Sequence, residues 1–419
     1  MKKYNYRKYF HCKNLKGIEN EKFKTNLISV FFKRPLKREE VTKNVLLPYV
    51  LSDSTQKYKT QADIEKRMQE LYSSKIDSNV SKSGEKQIIS FRLSFVSDRY
   101  LNEKITDDAI DLLTQIIFHP NIENGGFSKE YVKLAKDAVE QDILAIINNK
   151  DKYAYNRTVE LMFKGENYAV NQDGYIEDLK EIDEKNLYEY YKEFISTRQI
   201  DIVVAGSFDK EATVSSLAKY FDVKIDAVNI EKEKPHKHSE CGMVEENMDI
   251  AQGKLVVGYS FDIAHDSEDY YKFMMYSEIL GGGPASKLFN IVREKHSLCY
   301  SVFSMIDRYK GTMMIMAGID HENKAKTVKL IDEIMDNIAK GDVSEDDMTA
   351  ALNHFNYSLE ALNDSLDAMS RFYYAEKLTG TPKTPDEIKA ILSKVTAKDV
   401  SEIGKRAKKD IEYFLTKTN

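Results

Sequence analysis

Three passages in the first half of the chain recur in the same order in the second half, and this repeat limits the possible fold more than any other feature. The helix-like AIDLLTQIIFHPNIENGGFSKEYV (109–132) is echoed by LIDEIMDNIAKGDVSEDDM (330–348). LKEIDEKNLYEYYKEF (179–194) is echoed by LSKVTAKDVSEIGKRA (392–407), with Leu179, Ile182 and Leu187 standing opposite Leu392, Val395 and Val400. Each copy then enters a strand-like run, IDIVVAGS (200–207) or IEYFLTKT (411–418). Three echoes in register, each offset by close to half of the 419 residues, predict two domains of one fold.

The elements within each half set the fold class. TNLISVFFKRPL (25–36) is apolar and β-branched, EEVTKNVLLPYVL and QADIEKRMQELYSSK have helical spacing, and EKQIISFRLSFVS alternates as a strand does. The second half opens with GKLVVGYSFDI (253–263), passes a helix around Tyr270–Leu280 and reaches a predicted hairpin, CYSVFSMI with GTMMIMAGI. Helical patterns fill Lys324–Ala339 and Glu345–Glu376. The expectation is an α+β protein of two homologous domains, 1–228 and 251–419, each a mixed, mostly antiparallel sheet with helices packed on one face. The polar, aperiodic 229–250 is predicted to be a linker. Its His236, His238 and Cys241 lack a fourth ligand and a rigid frame, so they are not expected to hold a metal.

Composition excludes several functions. With 42% apolar and 31% charged residues the chain has the make-up of a globular protein. A net charge of −6 gives no basic face for nucleic acid. The one basic, aromatic stretch, KYNYRKYFHCK near the start, reads as a solvated first strand. Cys12, Cys241 and Cys299 form neither a disulfide framework nor a structural zinc set, and no signal peptide or membrane-length apolar run is visible. These features predict a cytoplasmic protein without a membrane partner.

The 18 glycines include three in succession, in GGGPASKLFNIVREKHSLCYS (281–301). Gly281 is placed to end a helix in the left-handed conformation, and Gly282 and Gly283 leave backbone open to close approach. Pro284 suits the first position of the next helix, and Ser286 with that helix's free N–H groups faces the loop. Leu288, Ile291 and Val292 make its buried face, with Arg293 near its end and Tyr300 at the start of the following strand. No phosphate-binding or dinucleotide-binding glycine motif is present. The spacing alone is equally met by glycines for tight packing, an Arg293–Glu294 surface pair and a half-buried Tyr300.

LGGGPASKLFNIVREKHSLCYSVFS resembles the C-terminal-domain signature of the insulinase/pitrilysin zinc peptidases, the inverzincins. The resemblance covers nearly the whole chain and implies duplicated domains of the LuxS and processing-peptidase type. It is closest to bacterial members in which two such chains enclose a peptide chamber. The family carries H-x-x-E-H on an early helix, two His holding zinc and the Glu acting as general base. Aligned on Ser54-Thr55, this sequence places Val45, Pro48 and Tyr49 at those positions. The helix matching the third-ligand helix holds Glu140, Gln141 and Asp142, and none of the eight histidines forms an i, i+4 pair. His296 and His354 are expected at the surface or in packing contacts. Pro48 within a helical pattern costs about 3 kcal/mol unless the helix kinks.

The resemblance therefore implies a chain without catalytic zinc, whose peptide-cleaving partner would be a zinc-bearing homologous subunit. In two-chain members an Arg/Tyr pair of one subunit reaches the substrate at the other's metal, and Arg293 and Tyr300 stand at those positions. Gly281, Gly282, Gly283 and Ser286 would contact the peptide substrate. The other expectation is an inert scaffold or peptide-binding module of the same fold, and a homodimer is possible when the chain is alone.

Overall fold

The computed structural model describes residues 15–221 and 228–418. The basic stretch Lys3–Lys13 and Cys12 lie outside the described residues. The strands are β1 (Leu15–Glu19), β2 (Thr25–Pro35), β3 (Lys75–Ser83), β4 (Lys86–Val96), a short hairpin of β5 (Ile122–Glu123) and β6 (Gly126–Phe127), and β7 (Gln199–Gly206). In the second half they are β8 (Gly242–Met248), β9 (Gly253–Ser260), β10 (Cys299–Asp307), β11 (Thr312–Ile319) and β12 (Lys408–Lys417). The first-half helices are α1 (Val41–Asp53), α2 (Gln61–Glu70), α3 (Thr106–Phe118), α4 (Lys129–Asn148), α5 (Lys150–Met162), α6 (Ile176–Leu179), α7 (Glu184–Ser196) and α8 (Lys210–Phe221). The second half has α9 (Asp269–Gly281), α10 (Lys324–Ala339), α11 (Glu345–Ala361), α12 (Leu366–Leu378), α13 (Pro385–Leu392) and α14 (Ala397–Gly404).

The two large sheets repeat one another strand for strand. The first has the order β1-β7-β2-β4-β3 and the second β8-β12-β9-β11-β10. In each, the outermost pair is parallel (β1 with β7, β8 with β12) and the remaining pairs are antiparallel. The expected α+β duplication is thus present, and the echoed passages fall on α3 and α10, α7 and α14, and β7 and β12.

Each sheet buries one face under helices of its own half. In the first, Ile28, Val30 and Phe32 of β2 meet Leu46, Val50 and Leu113 in one apolar core. In the second, Leu255, Val257 and Tyr259 of β9 pack with Phe273, Ile279 and Ile334.

The opposite faces are covered by segments taken from the other half of the sequence. The compact units are not 1–228 and 251–419: residues 145–169 belong with the second sheet, and residues 362–375 with the first. From α5 and the turn after it, Ala154, Val159, Met162 and Phe163 pack on Val256, Met314, Ile411 and Tyr413. From α12, Tyr374 stacks on Phe31 at 3.8 Å between ring centroids, and the Ser370 hydroxyl donates to Ser29 at 2.9 Å. These double-sided contacts explain why β2 is apolar almost without alternation.

Two further expectations are corrected. Gly242–Met248, inside the stretch expected to be a linker, is the edge strand β8. Its pattern looks polar because Glu246 takes the Arg157 guanidinium at 2.7 Å and the Tyr413 hydroxyl at 2.9 Å. The helical pattern Glu345–Glu376 is broken by a tight turn at Leu362–Asp364, where the chain passes from one unit to the other. No helix among the described residues is long and apolar enough to cross a membrane.

Candidate functional site

The glycine turn is built by contact rather than by handedness. α9 ends at Gly281 and is capped by Gly282 with φ −79°, so neither residue takes the left-handed conformation expected for Gly281. A Cβ on Gly281 would lie 2.6 Å from the backbone nitrogen of Ser304 and 2.9 Å from Leu288 Cδ1. The helix end therefore presses directly on β10. A Cβ on Gly282 would lie 2.2 Å from Glu278 Oε2, whereas Gly283 has nothing nearer than Glu278 Oε1 at 4.0 Å.

Pro284 lies in the turn itself, and the helical segment after it starts at Lys287, later than expected. Ser286 acts as its cap: the carbonyl accepts from Asn290 N–H at 3.0 Å and the hydroxyl from Phe289 N–H at 3.4 Å. Its side chain is buried and the Glu278 carboxylate lies against Gly282, so the open part of the turn is the backbone at Gly283.

The segment finishes as a π-helix, Phe289–Lys295, with His296 N–H reaching back to the Ile291 carbonyl at 3.1 Å. Such wide turns are uncommon and are frequent at functional sites. Leu288 and Val292 anchor the segment in the core and Ile291 packs partly buried against it. Arg293 is left 41% exposed, over the Phe289 ring at 4.6 Å and no closer than 3.8 Å to its nearest carboxylate, Glu294. Tyr300 is not half-buried. It stands 66% exposed at an irregularity between Cys299 and Ser301, and its hydroxyl has no hydrogen-bond partner among the described residues. A bulge next to an edge-strand residue turns its side chain away from the sheet.

Two residues passed over in the sequence border this turn. Glu278, in the last turn of α9, accepts from or shares a proton with His354 Nδ1 of α11 at 2.6 Å. His354 was expected only as a surface or packing residue. The available signal was a carboxylate four residues before Gly282, at the end of a helix where acids are disfavoured. The cleft of about 450 Å³ lined by Glu268, Tyr271 and Arg308 lies at the other end of α9.

In the first unit, α1 runs unbroken through Pro48. Val45 faces the core and Pro48 is buried beside it. Tyr49 donates its hydroxyl to Asp142 of α4 at 2.5 Å. Burial, then the Asp142 carboxylate, push that phenol up to about 12. Asn44, also on α1, is buried and donates to Gln87 at 2.8 Å while accepting from Tyr190 at 2.7 Å.

The fold thus brings α1 and the helix of Glu140, Gln141 and Asp142 together, but a tyrosine–carboxylate hydrogen bond occupies the meeting point. Valine and proline offer no lone pair, and a phenol held protonated across the neutral range is no zinc ligand. Among the described residues no group of three or more His, Cys, Asp or Glu could hold a metal ion. The residues at positions 45, 48 and 49 do not fit zinc.

The expected linker histidines are not loosely held. His236 is buried in the second unit between Glu166 and Asp410, and His238 Nδ1 lies 3.1 Å from Asp410.

Comparison with known proteins agrees with this geometry. The family model described as "Peptidase M16 inactive domain" matches residues 181–355. The Bacillus subtilis protein named "Probable inactive metalloprotease YmfF" is 32% identical over 408 residues, covering 96% of this chain and 95% of that protein. The crystal structure of a conserved protein from Enterococcus faecalis superposes with a TM-score of 0.89 at 28% identity, over 96% of each chain. The M16 inactive domain protein from Pseudomonas fluorescens shares the fold, with a TM-score of 0.79 at 16% identity over 97% of this chain and 96% of that one. A full-length match at this identity, on a duplicated α+β fold, places the chain in the peptidase M16 (insulinase/pitrilysin) family as a homologue of its inactive members.

Proposed function

We propose that this chain is the zinc-free subunit of a two-chain M16 peptidase, in which it binds and orients peptide while a zinc-bearing homologue supplies the metal. The observation that carries this is the state of Arg293 and Tyr300. Both are presented to solvent on a π-wound segment and a bulged edge strand; Arg293 lies over the Phe289 ring with no carboxylate nearer than 3.8 Å among the described residues, and the Tyr300 hydroxyl has no partner among them. A half-exposed guanidinium whose donors are not taken by a close carboxylate can hold a peptide carbonyl or carboxylate through forked donors. A phenol can donate to the oxyanion formed at a partner's zinc, a contact whose removal costs about 10²–10³ in rate. The bare backbone at Gly283 leaves room for an extended chain. Under this proposal the chain is cytoplasmic and carries no metal of its own.

Co-expression with a zinc-bearing homologue tests it. The complex should cleave peptides, the isolated chain should contain no stoichiometric zinc, and Arg293→Ala with Tyr300→Phe should slow the complex without unfolding it. Equal cleavage by wild type and variant would remove the catalytic part, and stoichiometric zinc in the lone chain would sink the proposal.

A second possibility is an inert scaffold or peptide-binding module, favoured by the naming of the Bacillus relative as inactive. A stable complex that shows no turnover would support it. A homodimer of the lone chain, measured by light scattering, would point to peptide capture without hydrolysis.

A further inference from the structure

Glu278 is a carboxylate in a place that disfavours one. It lies in the last turn of α9, at the negative end of the helix dipole, and its side chain is only 14% exposed. Burial pushes its carboxyl above the ordinary range, with His354 opposing. No lysine or arginine among the described residues pairs with it. Its hydrogen-bond neighbour is the imidazole of His354, which is itself half exposed and meets Oε1 alone. Oε2 accepts no hydrogen bond from the described residues, although a carboxylate has room for about four.

The backbone beside Glu278 leaves that oxygen reachable. A side chain at position 282 would begin 2.2 Å from Oε2 and cover it, and at position 283 the space is open. Tyr357, one turn along α11 from His354, is 73% exposed and offers an apolar surface beside the same pair.

We infer that Glu278, lying against Gly282, reads a cationic nitrogen of a bound peptide beside the open backbone at Gly283, with His354 as the hydrogen-bond partner that the incoming cation displaces. The cation is the head of a Lys or Arg side chain or a free amino-terminal ammonium, since both present the same charged donors. An Arg fork would meet both carboxylate oxygens. This inference rests on the proposal that the glycine turn contacts peptide.

The test offers immobilised full-length protein a randomised decapeptide pool in free and amino-acetylated forms, and the retained peptides are sequenced by mass spectrometry. Wild type should enrich Lys and Arg, or free amino termini, about tenfold, the scale of one charge-assisted hydrogen bond in a half-buried site. The acetylated peptides separate the two sources. Glu278→Gln preserves the shape and should return the enrichment to background while retaining a similar quantity of peptide. His354→Ala frees Oε1 and should raise the enrichment, which loss of a merely structural histidine would not do. If the glutamine variant fails to fold, the alanine variant decides alone, and a fall or no change there overturns the inference. Unchanged enrichment in folded Glu278→Gln, or peptide retained by wild type with no cationic preference, overturns the inference and leaves peptide binding standing. Wild type that retains no peptide overturns both.

Discussion

Raising the pH through 9 should remove the proton that His236 carries between two carboxylates, and with it part of the second unit's stability. His236 is buried, with Nδ1 hydrogen-bonded to Glu166 and Nε2 3.6 Å from Asp410. Burial disfavours its charge, but Asp410 and Glu166 outweigh burial and raise the imidazole from 6.5 to about 9. Because the folded value is raised, this contribution is complete below pH 6.5 and is lost as the pH climbs through about 9. A displacement of that size corresponds to about 3 kcal/mol, and screening at the partly exposed Glu166 reduces it to about 1–2 kcal/mol. The loss is limited because Glu166 keeps Lys310 at 2.8 Å and Asp410 keeps the Ser239 N–H at 2.7 Å. In a unit of this size that is roughly 3–6 °C of melting temperature.

The assay is thermal unfolding of wild type and His236→Gln from pH 6 to pH 10. Glutamine can still donate to Glu166 but cannot become charged. Other groups titrate over this range in both proteins, so the informative quantity is wild type minus variant. That difference should be largest at pH 6 and shrink toward pH 10. A difference that stays constant across the range would show that His236 is held by packing and not by its charge.

Other substitutions test the local geometry. Gly281→Ala puts a methyl 2.6 Å from the Ser304 nitrogen and should cost about 1–3 kcal/mol in urea unfolding. Gly283→Ala, with nothing nearer than 4.0 Å, should change stability by less than about 0.5 kcal/mol. Equal effects would mean that the end of α9 does not press on β10. Pro48→Ala restores a backbone donor in the middle of α1 and should stabilise the first unit by about 1–2 kcal/mol, part of proline's cost inside a helix. A destabilised variant would show that packing of the buried ring outweighs the missing hydrogen bond.

Much of this protein was legible before any coordinates. The repeat could be read because apolar spacing survives where identity does not: Leu187 and Val400 are different residues serving the same buried position. That positions 45 and 48 cannot ligate zinc could also be read, since no arrangement of neighbours gives Val45 or Pro48 a lone pair. Arg293 and Tyr300 were identifiable from their motif, but not the π-helix and bulge that leave them exposed. The pairing of Glu278 with His354 escaped notice because the two are 76 residues apart and meet only when α9 and α11 pack.

The order and kind of the strands and helices, their duplication, and the chemistry missing from α1 follow from residue types and spacing along one strand or helix. Which sheet each arm covers does not. An amphipathic helix specifies that one face must leave water but carries no address for the surface that receives it, so only packing could assign 145–169 to the second sheet and 362–375 to the first. The same limit hid β8, whose inward Glu246 looks solvent-facing until Arg157 arrives from the other half of the sequence to neutralise it. Local pattern is written in neighbouring residues, whereas burial partners are chosen across the whole chain.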